Sequence, residues 1–113
     1  MAQTTFYKKI ENTSAIAALG TWSPSAAQLT ENEITKYAPF NSLTIFNNSD
    51  KDVDVRLAGS NLSDTGVEHL PAGATLVFDP DENVFFHRPT IYNRDASASI
   101  AVNEIICVIR KVS

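Results

Sequence analysis

From Leu43 onward the chain alternates apolar and polar residues in short runs, each closed by turn-forming residues. Leu43-Thr44-Ile45-Phe46 runs into Asn47-Asn48-Ser49-Asp50-Lys51. Val53, Val55 and Leu57 then alternate with Asp52, Asp54 and Arg56, the period-two pattern of a strand with one buried and one wet face. Asp52, Asp54 and Arg56 therefore share the wet side. Ala58-Gly59-Ser60-Asn61 breaks the run, and Val67 to Leu70 forms a short strand. In Pro71-Ala72-Gly73, proline presets φ and glycine can take positive φ, so a turn is expected. Ala74 to Asp79 is a further strand, built around Leu76, Val77 and Phe78. Val84-Phe85-Phe86 and Thr90-Ile91-Tyr92 come next, divided at Pro89 because proline cannot donate to a sheet ladder. Ala98, Ile100 and Val102 alternate with Ser97, Ser99 and Ala101, and Asn103-Glu104 folds them as a hairpin onto Ile105 to Val112. That last run is apolar on both faces, so it is either central in a sheet or turns one face to another subunit.

These segments make seven or eight strands with no long helical period. Two half-apolar sheets must cover each other, so the pattern predicts an all-β, antiparallel, jelly-roll-like β-sandwich over residues 43–113. Residues 1–42 read differently, as an extended N-terminal arm. Phe6 to Ile10 has the pattern of a strand, and Trp22-Ser23-Pro24-Ser25 that of a turn. Thr30 and Glu33 match a capping box that favours a short helix over 31–37, whereas burial of Leu29 and Ile34 favours a strand. Both remain open. A region rich in Ser, Thr and Ala with scattered apolar anchors suits an arm packed on a neighbour or across the sandwich.

The 113 residues allow one domain, and the 43% hydrophobic content excludes a disordered chain. No run approaches the ~18 apolar residues of a membrane helix. The formal net charge of -4 lies wholly in residues 43–113, where it repels phosphate backbones, so neither nucleic acid nor membrane is an expected partner. A signal peptide needs an apolar run directly after its basic residues. Here Glu11, Asn12, Thr13 and Ser14 separate Lys8 and Lys9 from the short Ala-rich stretch, so the N-terminus does not read as one. Sequons at Asn12, Asn47 and Asn61 are expected by chance in a chain so rich in Asn and Ser.

Candidate chemistry is thin. Asp50, Asp52 and Asp54 begin an EF-hand spacing, but Val55 stands where glycine is required and Asn61 where the bidentate glutamate should be. Asp79, Asp81 and Asn83 fail in the same way, at Val84 and Thr90. Solvated acids guarding an edge strand account for Asp52 and Asp54 more simply. His69 and His87 lack a third ligand at metal-like spacing, so no metal and no cofactor is expected. Cys107, set among Ile105, Ile106, Val108 and Ile109, reads as an inert core thiol. Glu68 with Glu104, or Asp81 with Glu82, could be cast as a glycosidase pair, but so small a domain leaves little room for the cleft. No nucleophile elbow or phosphate loop is present. No catalytic residues are assigned, and the chain is read as a non-enzyme. Phe85, Phe86, His87, Arg88 and Tyr92 form the densest aromatic cluster. Core filling explains it first, with a carbohydrate platform as the alternative. The candidate interaction residues are Phe6, Tyr7, Trp22, Tyr37, Phe85, Phe86 and Tyr92.

Three stretches, SLTIFNNSDKDVDVRLAG, LPAGATLVFDPDENVFF and PTIYNRDASASIAVNEIICVIRKV, resemble small β-sandwich virion structural proteins of tailed bacteriophages. The shared layout falls at Asn48 to Asp50, Val53 to Val55, Pro71 to Gly73, Phe78-Asp79 and the final hydrophobic hairpin. The resemblance implies a virion location and a structural role as a capsid decoration, cement or auxiliary capsid protein, or as a head–tail or tail component. It implies other virion proteins and further copies of the chain as partners, and it carries no catalytic residues. A glycan-binding β-sandwich module is the alternative function.

Overall fold

The computed structural model describes residues 4–25, 28, 39–58, 67–80 and 84–112. Among the described residues, eight strands form two antiparallel sheets. In chain order they are β1 (Thr4–Glu11), β2 (Thr21–Trp22), β3 (Ser42–Asn47), β4 (Val53–Ala58), β5 (Val67–Leu70), β6 (Thr75–Phe78), β7 (Arg88–Asn93) and β8 (Ile105–Val112). Sheet 1 runs β1-β8-β3-β6 and sheet 2 runs β2-β7-β4-β5. First pairs with last, second with second-to-last, and so inward to the β4–β5 hairpin. This is jelly-roll winding, in which a folded-over ribbon splits into two facing sheets.

Alternation within each strand builds the core. Sheet 1 turns Phe6, Ile10, Leu43, Ile45, Phe78, Ile105, Cys107 and Ile109 inward, and sheet 2 turns in Trp22, Val53, Val55, Leu57, Leu70 and Ile91. Phe40 stacks on Phe6 with ring centroids 5.0 Å apart and tilts against Phe86 at 6.0 Å, closing one end. Reciprocal backbone bonds join Phe40 to Phe86 and Ile16 to Ile100, so loops as well as strands tie the sandwich together.

The structure departs from the sequence expectations in four places. First, residues 4–25 are not an arm beside the body. β1 pairs with β8 from Thr4 opposite Val112 to Glu11 opposite Ile106, and β2 pairs with β7. The anchors Phe6, Ile10, Ile16 and Trp22 are all in the core, which is the physical reason this polar-rich stretch stays with the body. Trp22 accordingly lies in a strand and not in a turn. The expected helix or strand over 31–37 lies outside the described residues.

Second, Pro89 sits inside β7, opposite Leu57 of β4. A strand residue points its N and C=O to the same side, and the Pro89 carbonyl accepts from Ser23 Oγ at 2.7 Å. The missing N–H thus faces the place where β2 has already ended, and no ladder bond is lost. Among the described residues, Val84-Phe85-Phe86 makes a single bridge, at Phe86. Third, residues 98–102 do not form a hairpin with β8, because β1 and β3 occupy both of its edges. Ile100 alone bridges, to Ile16. β8 is therefore the central strand that its apolar run allows. Fourth, β4 is interior, between β7 and β5, so its acids do not guard an edge.

Candidate functional site

Because the inner faces are spent on the core, any binding surface must be built on the outer faces or the loops. On sheet 1 the register aligns Lys9, Val108, Thr44 and Val77 in one outer row, and Glu11, Ile106, Phe46 and Thr75 in the next. Phe46 is 36% exposed, Val77 47% and Tyr7 59%, with Ile106 and Val108 half-buried between them. Contiguous apolar side chains on an outer sheet face are unusual in a domain that works alone. Arg110, whose Nη2 donates to Ser42 Oγ at 3.1 Å, marks the polar rim.

Sheet 2 presents the opposite character. Thr21, Tyr92, Asp54 and His69 form one outer row across all four strands, with Thr90 and Arg56 in the next. Thr21, Asp54, Arg56, Thr90 and Tyr92 line a depression of about 360 Å³. Beside it lies a charged cluster. Arg94 Nη1 is 2.8 Å from His69 Nδ1 and 3.6 Å from Asp54 Oδ1. His69 Nδ1 also lies 3.2 Å from Asp54 Oδ1, and Nε2 is 3.7 Å from Asp52 Oδ2, so the ring stands among one guanidinium and two carboxylates. Asp52 Oδ1 also accepts from the Ala72 N–H at 3.0 Å, tying the β5–β6 turn to the start of β4. That turn closes with Ala74 N donating to Pro71 O, and Gly73 takes φ 76°, which a side chain would disfavour. At the cluster's margin, backbone N–H groups of Ser97 and Ala98 hold the Asp95 carboxyl below its ordinary range. The hydrogen bond from Lys51 does the same for Asp50.

The candidate residues separate. Phe6, Trp22 and Phe86 are core, Tyr7 is on the outer face of sheet 1, and Tyr92 is in the sheet 2 depression. Phe85 lies under Lys111, whose Nζ is 5.8 Å from the ring centroid, so the aromatic cluster read from sequence is not one platform. Tyr37 lies outside the described residues. Asp50, Asp52 and Asp54 do not converge: Asp50 pairs with Lys51, Asp52 caps Ala72, and Asp54 meets His69 and Arg94. Among the described residues no group of three or more His, Cys, Asp or Glu could hold a metal ion. The Glu104 carboxylate accepts from Ala101 N at 3.0 Å, while Glu68 lies in β5 of the other sheet. Burial pushes the Cys107 thiol up to about 12, as an inert core group requires.

Sequence reasoning missed four buried asparagines. Asn47 Nδ2 reaches the carbonyls of Lys51, Leu70 and Pro71 while Oδ1 accepts from Ser49 N and Oγ. Asn93 Nδ2 donates to Ile16, Ala17 and Ala98, and Oδ1 accepts from Asp95 N. Asn12 and Asn41 bond both ways with the backbone at the two ends of β8. The one available signal is that Asn47 and Asn93 stand at strand ends next to turn residues, where a primary amide can satisfy several backbone groups at once. Asn12 and Asn47 are fully buried, which puts both sequons out of reach in the folded chain. Compared with known proteins, the chain matches no family model, no curated protein and no solved structure.

Proposed function

We propose that this chain is a non-enzymatic structural subunit of a tailed-phage virion, packing against neighbouring capsid subunits as a decoration, cement or auxiliary protein. The apolar outer face of sheet 1 carries the reading. Phe46 pairs with Ile106, and Val108 follows Ile106 on the same face of β8. Val77 lies diagonal to Phe46 with Thr44 between it and Val108, while Tyr7 stands beyond them on β1. Such a face stabilises a contact by removing apolar surface from water, and Lys9, Glu11 and Arg110 around it supply the polar rim that fixes orientation. The stretches resembling tailed-phage virion proteins supply three of its four strands, β3, β6 and β8.

The test is sedimentation and light scattering of the purified chain, alone and mixed with capsids of the phage that carries its gene. Self-association or co-sedimentation with capsids is expected. Phe46→Lys combined with Val77→Lys should abolish it while leaving the circular dichroism melt in place. A wild-type chain that stays monomeric and ignores capsids sinks the proposal.

A further inference from the structure

The depression on sheet 2 is independent of the docking face, being on the other side of the sandwich, and its chemistry differs. Its side chains stand on three adjacent strands, Thr21 on β2, Thr90 and Tyr92 on β7, Asp54 and Arg56 on β4. Paired rows set cross-strand neighbours ~5 Å apart and same-strand neighbours ~7 Å apart, so the polar groups form a fixed grid that no loop has to order. The grid is unspent. Among the described residues, the side chains of Thr21, Arg56, Thr90 and Tyr92 make no hydrogen bond or ion pair. Asp54 engages His69 and Arg94 through Oδ1, leaving Oδ2 open.

We propose that this depression binds one ring of a neutral saccharide. Three features select that class. The lining carries one anion and one cation, Asp54 and Arg56, so it offers a phosphate or carboxylate no net attraction. The neighbouring hollow sets three carboxylates, Asp50, Asp52 and Asp95, against Arg94, with Asp50 paired to Lys51. A saccharide hydroxyl donates and accepts at once. Asp54 supplies a charged acceptor, Arg56 several donors, and the Thr21, Thr90 and Tyr92 hydroxyls either role. Tyr92 adds an aromatic ring against which the C–H face of a sugar packs, the apolar contact that a purely polar pocket lacks. At about 360 Å³ the depression lies at the small end of ligand clefts, which suits one ring and not a long peptide.

The experiment is heteronuclear NMR titration of the intact chain with free neutral monosaccharides at tens of millimolar, alongside a glycan array for extended chains. Inorganic phosphate and sialic acid serve as anionic controls. At least one neutral sugar should shift the backbone amides of Tyr92, Thr90, Asp54 and Arg56 in a saturable way. Tyr92→Ala should weaken that sugar roughly tenfold or more, and so should the isosteric Asp54→Asn. Capsid or self-association through sheet 1 should be unchanged in both variants. Tyr92→Phe keeps the ring and guards against misfolding; it should retain most of the binding. Silence of these amides across panel and array overturns the proposal, as does binding confined to the anions, or binding that survives both Tyr92→Ala and Asp54→Asn.

Discussion

On their inner sides the two sheets are alike, each an alternation of buried aliphatic and aromatic residues; on their outer sides they diverge. Sheet 1 shows water Tyr7, Phe46 and Val77, whereas sheet 2 shows it Thr21, Asp54, Arg56 and His69. The strand positions are equivalent in backbone geometry, so the difference is one of side-chain choice at residues the core does not constrain. Folding needs only that one face of each strand be apolar. The other face is free to carry function, and here the two faces are suited to different partners.

The sharpest break of the comparison sets the same substitution on the two sides. Val55 is inner and fully packed, Val77 outer and 47% exposed. Val55→Lys should cost more than about 4 kcal/mol, because an unpaired ammonium is taken out of water, and the chain should be unfolded at room temperature. Val77→Lys should move stability by no more than about 0.5 kcal/mol in urea melts. Comparable losses in both would show that sheet 1 has no free outer face.

Next in size is the tie between the sheets. Asn47 ends β3 of sheet 1, yet its amide serves carbonyls at Leu70 and Pro71, where β5 of sheet 2 ends. Asn47→Ala removes those donors and orphans Ser49, so a loss of about 3 kcal/mol is expected. Hydrogen exchange should rise in both sheets together. A rise confined to one sheet would mean the sandwich halves are held by apolar contact alone.

Much of this is readable in the sequence, and the exceptions share a cause. β3 and β4 carry enough alternating residues for the period to show, β5 is legible from the turn residues that bound it, and the unbroken apolar run at Ile105 to Ile109 allows the central place that β8 takes. β2 is two residues long and has no period to detect. The bridges from Ile16 to Ile100 and from Phe40 to Phe86 join distant segments through single residues, which local pattern cannot encode. Pro89 reads as a strand break because its tolerance depends on where β2 stops, a tertiary fact. The sheet 2 depression is half visible: alternation puts Asp54 and Arg56 on one wet face, but their meeting with Thr21 and Tyr92 requires the β4–β7–β2 register.

A smaller effect tests the sameness of the inner faces. Cys107 pairs with Ile45 and Ile10 across β8 and is buried, with its thiol held far from ionisation. Cys107→Ala should cost about 1–2 kcal/mol through lost burial and a small cavity. The native thiol should resist a polar alkylating reagent until the chain unfolds. Rapid labelling of folded protein would place Cys107 outside the core, against its inward position in β8.

The smallest expected change concerns the charged margin of sheet 2. Asp52→Asn keeps an acceptor for the Ala72 N–H, so that bond survives. Asp54→Asn removes the anion facing Arg94 and His69, at 3.6 and 3.2 Å from Oδ1. Exposed pairs of this kind are worth about 0–1 kcal/mol, since water screens them and ordering an arginine costs entropy. Against that stands relief of repulsion, because Asp50, Asp52 and Asp95 line the same hollow as His69 and Arg94. The two effects oppose, and the double variant should lie within about 0.5 kcal/mol of wild type at low salt. Added salt should shrink even that difference, because screening acts on attraction and repulsion alike. A loss above about 2 kcal/mol that salt does not touch would make the cluster part of the fold. A melting temperature raised by calcium in the wild type and not in the double variant would instead reveal a cation bound among these acids, and the outer face of sheet 2 would have to be assigned to metal binding.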